Sequence, residues 1–286
     1  MTVPFDLTIV PLVRIHGQEL PLNPGLMASA APKHAARGRE ADLLVISLAL
    51  AGNAQVSSEE YKQIAVQMAQ RFFQVPGALT SAMRTTMDLV NQYLVERNMR
   101  TTGQGQYIIG RTILAVLRDG QMTLAQSGPT RVFHLTGRTT RPLHDAQISG
   151  RGLGIGQAVP LYLAQCEVHG GDQLVFCNHS PADWETDLPV QNSTSLEYLR
   201  RSLLDGTTDD LNGAVLSIQA GTGKIEILRG EQRANVETIN TAAQAAPAMQ
   251  VAGAEATGQT APVGQEQEPP PVPEETSPPT PAPSTA

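Results

Sequence analysis

At Tyr107 the hydrophobic spacing of the chain changes from a helical repeat to a strand-like one. Upstream, Ser57 and Glu60 form a capping box, and Tyr61, Ile64, Ala65, Met68 and Phe72 follow at helical spacing. Val75-Pro76-Gly77 ends that helix, because proline cannot continue the hydrogen-bond ladder. A second helix is predicted over 79–98, with Leu79, Met83, Met87, Val90 and Leu94 on one face. Downstream, 109–117 and 122–127 read as strands joined by an Asp119-Gly120 hairpin turn. Further strands are predicted at 131–135 and 161–168, and His169-Gly170-Gly171 turns the chain into 173–177. A short helix over 196–204 precedes a final hairpin of 214–219 with 224–228. The apolar run 43–51, broken only by Ser47, suits a buried strand and falls far short of the ~18–20 residues of a membrane span. The pattern predicts an α+β fold of two packed sheets with helices outside.

The formal charge of −7 is unevenly spread. No Lys or Arg follows Arg233, whereas Glu237, Glu255, Glu266, Glu268, Glu274 and Glu275 do, so residues 1–233 carry 20 basic against 21 acidic side chains. A nearly neutral domain without a basic stripe argues against a nucleic-acid partner. Ten of the 21 prolines lie between Pro247 and Pro283, and every Phe, Tyr and Trp lies upstream. Such a segment cannot bury enough apolar surface to offset an ordering entropy of roughly 1–2 kcal/mol per residue. The reading is a folded domain over 1–232 and a disordered acidic tail over 233–286. In that tail Pro269, Pro270, Pro271 and Pro273 suit either an aromatic proline-recognition groove or a spacer.

Two cysteines, Cys166 and Cys177, exclude a disulfide framework and a cysteine zinc site, and a reduced cytoplasmic setting is expected. A turn at Gly170 would set Cys166 opposite about Leu174, so no bond between the cysteines is expected and both read as small buried hydrophobes. The N-terminus MTVPFDLTIVPLVRIHG lacks a basic stretch followed by an apolar one, so no secretion signal is expected. QAGTGKIEI has Ile218 where a phosphate-binding loop needs glycine and Ile225 where it needs Ser or Thr, and GRGLGIG satisfies G-x-G-x-x-G in no frame. His134 and His144 have no nucleophile at triad spacing, and Trp184 reads as a core or loop anchor.

Several segments, taken in order, resemble the metal-dependent protein Ser/Thr phosphatases of the PPM (type 2C) family. Gly110 with Arg111-Thr112-Ile113-Leu114 looks like that family's Gly-Thr-Thr strand start. LAQSGPTRVFHLTGRTTRPLHD is similar to its a-x-x-G-D-S-r-x-y stretch ending in L-T-x-D; Gly128 and Arg131 match, and Pro129 replaces the Asp. RGLGIG resembles the a-L-G segment, HGGDQLVFCNHSP resembles p-G-D-x-l-l-l-c-S-D-G-l, and DDLNGAVLSI resembles D-N-x-T-v-v-v. Asn91 fits an asparagine of the second helix. The series covers about 36–230 and implies a four-layer αββα sandwich, two antiparallel sheets flanked by helices.

The reaction of that family needs two Mg²⁺ or Mn²⁺ ions about 4 Å apart, held by crowded carboxylates. The family draws them from N-x-D, D-G-x-G-G, S-D-G and D-N motifs. Here D-G-x-G-G reads Ala49-Leu50-Ala51-Gly52-Asn53: the central Asp is Ala49, and the Gly whose carbonyl ligates is Leu50. S-D-G reads Asn178-His179-Ser180, so a second Asp is His179. Asp209 fits the final Asp, with Asp210 at the neighbouring Asn position. Arg37 and Asp42 keep the separation of R-x-x-N-x-D, with Glu40 in place of Asn. Asp42, His179 and Asp209 are thus vestigial metal candidates, and His179 with Asp209 would suit a softer ion such as Zn²⁺. Arg37 and Arg131 are candidate anion contacts. The resemblance implies the fold, and the substitutions imply a pseudophosphatase: no catalytic residue, no cofactor, and a protein partner, phosphorylated or not, that it regulates or scaffolds. Two alternatives stay open: a phosphohydrolase with a reduced or rearranged Mn²⁺ or Mg²⁺ site, and a small-molecule binding module in the old cleft.

Overall fold

The computed structural model describes residues 4–137, 139–185, 188, 190 and 195–231. These belong to the first of two units, Met1–Ala234; the second, Asn235–Ala286, lies outside the described residues, and so do the expected tail and its proline motif. In chain order the strands are β1 (Phe5–Ile15), β2 (Gln18–Glu19), β3 (Leu26–Ala30), β4 (Leu43–Gly52), β5 (Ile108–Arg118), β6 (Gln121–Ser127), β7 (Arg131–Thr136), β8 (Thr139–Pro142), β9 (Tyr162–Glu167), β10 (Gln173–His179), β11 (Leu211–Ala220) and β12 (Ile225–Ile227). The helices are α1 (Ser58–Gln74), α2 (Leu79–Thr101), α3 (Ala146–Ser149) and α4 (Leu196–Asp205). One sheet has the order β12-β1-β11-β10-β7-β8, with β2 on β1, and the other the order β3-β4-β5-β6-β9.

Three apolar interfaces stack these layers. Between the sheets lie Ile9, Val45, Ile113, Leu124, Phe176 and Leu216. Leu44, Ile46 and Leu48 face the other way, onto Met68 and Phe72 of α1 and Met83 and Leu94 of α2. Phe133, Val175 and Val215 of the first sheet pack under Leu199 and Leu203 of α4, with Trp184 buried beside them. The result is an αββα sandwich. Because β4 is covered on both faces, its sequence is a continuous apolar run without alternation. Among the described residues, no helix is long and apolar enough to cross a membrane.

Local chemistry explains the boundaries. Ser57 caps α1 by accepting from the Glu60 backbone N–H at 3.1 Å. The return half of the capping box is absent: the Glu60 carboxylate accepts instead from the Tyr93 hydroxyl and pairs with Arg97, which clips α1 to α2. Asp119 and Gly120 have φ of 50° and 77°, the two positive values a tight two-residue hairpin needs. At the same end of the sandwich, the buried Asp42 carboxylate accepts from Arg118 at 2.5 and 2.7 Å and faces Arg39, which also donates to Gly77 O and Ala78 O in the α1–α2 turn.

Two expectations about pairing need correction. β9 pairs with β6 and β10 with β7 and β11, so the turn at Gly170 carries the chain from one sheet to the other, and Cys166 faces Met122 instead of Leu174. Both cysteines are free and buried. β12 does not form a hairpin with β11: it lies parallel to β1, on the edge opposite β11. The loop between them wraps the Asp6 carboxylate, which accepts from the backbone N–H groups of Thr222 and Lys224 at 2.7 Å each. β1 and β3 lie before the segment aligned from sequence and within the domain expected over 1–232.

Candidate functional site

The ends of β4, β5, β10 and β11 meet at one end of the inter-sheet space. Ala49 pairs with Arg111 across β4 and β5, and His179 pairs with Asn212 across β10 and β11. The Arg111 guanidinium crosses between the sheets, with Nη1 3.0 Å from His179 Nδ1. Asp209 and Asp210 stand at the start of β11, and their charges act on His179. Of the positions expected from sequence, Ala49, Leu50, His179, Asp209 and Arg131 therefore share this end of the molecule.

Asp42 and Arg37 do not. Asp42 is locked to Arg118, seven residues along β5 from Arg111, which is roughly 24 Å at about 3.4 Å per residue. Arg37 lies exposed in the same distant loop, beside Glu40. The R-x-x-N-x-D reading is thus corrected: Asp42 pairs with Arg118 and with Arg39, which anchors the α1–α2 turn, and Arg37 stays on the surface of that loop. A different asparagine, in Asn23-Pro24-Gly25, does reach the cleft. Buried Asn23 donates to Asn212 Oδ1 and Gly213 O, at 3.3 and 3.4 Å. Gly25 stands two residues after Asn23, where the resembled N-x-D motif has its carboxylate, and a Cβ there would lie 1.9 Å from Leu48 O. The signal was present in the sequence as Asn-Pro-Gly before an apolar strand.

Amides, hydroxyls and backbone fill the floor. Asn178 is fully buried; its Oδ1 accepts from Ser47 Oγ at 2.5 Å, and its Nδ2 donates to Ser47 O and Arg111 O at 2.9 Å each. Leu50, at the position where the resemblance implies a ligating carbonyl, has both backbone groups bonded: Tyr61 Oη donates to Leu50 O and accepts from Leu50 N–H. Ala49 offers no donor atom. Asp210 accepts from the His16 N–H at 2.7 Å, while Asp209 is exposed on the rim. Arg131 fastens the loop after β10 by donating to Ser180 Oγ and Pro181 O. Among the described residues, no three of His, Cys, Asp and Glu come together as a metal would require.

Electrostatics follow from this arrangement. Burial and the Arg111 charge hold the His179 pKa below its usual value, against a weaker upward pull from Asp210 and Asp209. His179 is therefore neutral at pH 7, and its Nδ1 accepts from Arg111. Burial lowers the Arg111 pKa, but a guanidinium keeps its proton.

Among solved structures the chain is similar to a bacterial serine phosphatase, with TM-score 0.53 and 10% identity over 76% of this chain and 98% of that one. It is also similar to the serine/threonine phosphatase of S. agalactiae, with TM-score 0.51 and 13% identity over 74% and 99%. Stp1 of Staphylococcus aureus matches with TM-score 0.50 and 11% identity over 75% and 95%. The fold is that of the PPM phosphatases. No protein-family model matches the sequence, and no curated protein matches it. At such identities the PPM-like scaffold is shared and the chemistry must be argued from the side chains.

Proposed function

We propose that this PPM-like domain is a catalytically inactive pseudophosphatase that binds a protein partner as a regulator or scaffold. The observation that carries the reading is the composition of the cleft floor: Gly25, Ala49 and His179 stand at carboxylate positions, and the Leu50 carbonyl is held by Tyr61. Two divalent ions repel strongly at about 4 Å and need several anionic oxygens around them. Among the described residues, the carboxylates acting on His179 are Asp209 on the rim and Asp210, already bonded to His16. These residues do not fit a two-metal centre.

Hydrolysis of an aryl phosphate, assayed with Mn²⁺, Mg²⁺ or Zn²⁺, tests the reading. No metal-dependent turnover is expected. Turnover that is abolished by Asp209→Ala would overturn it in favour of a phosphohydrolase with a rearranged site. The third reading, a small-molecule module, predicts thermal stabilisation by millimolar nucleotides or phosphosugars.

A further inference from the structure

Among the described residues, Arg111 has no counter-charge. It is half-buried, and among the described residues no carboxylate lies within ion-pair distance of it; the one side-chain hydrogen bond of its guanidinium there is to His179 Nδ1. Other buried arginines of this fold are neutralised: Arg39 faces Asp42, Arg14 faces Glu19, and Arg200 faces Glu197. A guanidinium cannot shed its proton, so placing it between two sheets without an anion is unfavourable until one arrives.

His179 fixes the direction of the remaining donors. Its Nδ1 accepts from Arg111, so the proton of the neutral ring sits on Nε2. Arg111 Nε and Nη2 and His179 Nε2 are then left to donate, and the guanidinium edge suits two oxygens of one group. Arg131 adds positive charge on the neighbouring strand, although its Nη1 is tied to Ser180 and Pro181. Asp209 and Asp210 oppose it from the start of β11.

We infer that Arg111 and His179 form an oxyanion receptor in the inter-sheet cleft, for the phosphate of a phosphorylated side chain or the carboxylate of an acidic one on the partner. The inference rests on the non-catalytic reading, because divalent ions in this cleft would take the anion themselves. The receptor works without metal, and Asp209 weakens it.

The test uses the full chain in EDTA, titrated with phenyl phosphate and separately with benzoate while the His179 ring proton is followed by NMR. A saturable shift is expected, weakened about tenfold or more by Arg111→Gln and strengthened by Asp209→Asn. Tighter phenyl phosphate assigns the phosphorylated side chain; tighter benzoate assigns the acidic one. No saturable shift with either probe overturns the inference, as does unchanged affinity in Arg111→Gln. Weaker binding in Asp209→Asn also overturns it, since removing a negative charge beside an anion receptor should strengthen it. If Arg111→Gln fails to fold, Arg111→Lys is read instead; it keeps the charge, loses the fork, and should still bind more weakly. Metal-dependent hydrolysis of phenyl phosphate would overturn the non-catalytic reading alone, leaving the EDTA titration to judge the receptor.

Discussion

Asn178 Oδ1 accepts a 2.5 Å hydrogen bond from Ser47 Oγ, tying the end of β10 to β4 in the facing sheet. The same amide donates to the backbone of both β4 and β5, so one side chain closes the gap between the sheets where the cleft floor lies. A carboxylate could not replace it. Its oxygens would face the Ser47 and Arg111 carbonyls, which the amide nitrogen now satisfies.

Asn178→Ala should therefore destabilise the domain by about 1–3 kcal/mol, the penalty of leaving buried carbonyls and a hydroxyl unpaired. Asn178→Asp should cost more, because it adds a buried charge with no cation bonded to it. Urea unfolding at pH 7 measures both. Equal midpoints for Asn178→Asp and the unaltered protein would contradict this account of the floor.

His179 should titrate below 6.5, because burial and Arg111 both disfavour its charged form. The sign follows from the lowered value. Its contribution to stability is fully present above 6.5 and is lost as pH falls through the folded-state pKa. Arg111→Gln should raise the midpoint toward, but not to, the ordinary value, since the larger cause is burial. An NMR titration of the ring reads it directly.

Asp42→Asn should cost about 3 kcal/mol or more, because it leaves the fully buried Arg39 and the Arg118 fork without their carboxylate. It should leave anion binding at Arg111 unchanged, because the two sites lie at opposite ends of β5. Thermal unfolding paired with the phenyl phosphate titration separates these effects. A change in anion affinity would restore Asp42 to the cleft.

The layers were legible because burial writes itself into residue pattern. The two-faced run of β4, the stripes of α1 and α2 and the Asp119-Gly120 turn each have a local cause, and each appears where expected. Partners were less legible. Gly170-Gly171 signals a reversal but not which sheet receives the next strand, and the place of β12 beside β1 depends on contacts over two hundred residues apart. In the site, substitutions at Ala49 and His179 were read from motif positions, whereas the spacing of Arg37 and Asp42 matched by chance at the wrong end. That Arg111 has no counter-charge among the described residues has no sequence signature, because it depends on which strands surround it.

Asp6 explains why GTGK resembles a phosphate loop without being one. The backbone donors of Thr222 and Lys224 converge on its carboxylate and hold the Asp6 pKa below 3.8. The stabilisation is fully present above 3.8 and is lost as pH falls through the lowered value. Asp6→Asn should lower stability at pH 7 and flatten the acid limb of the urea midpoint against pH. An unaltered acid limb would show that the loop does not depend on this charge.

Gly25 gives the sharpest test of the cleft itself. Its backbone O accepts from Leu48 N–H at 3.0 Å, and a Cβ would lie 1.9 Å from Leu48 O. Even alanine must push β3 away from β4, and the added strain should cost about 1–3 kcal/mol or more. Gly25→Asp, which would rebuild the N-x-D carboxylate, should be at least as destabilising and should gain no Mn²⁺ affinity. Urea unfolding and Mn²⁺ titration of the same variant read both outcomes. A stable Gly25→Asp protein that binds Mn²⁺ would mean that one glycine, and not the whole floor, separates this cleft from a metal centre.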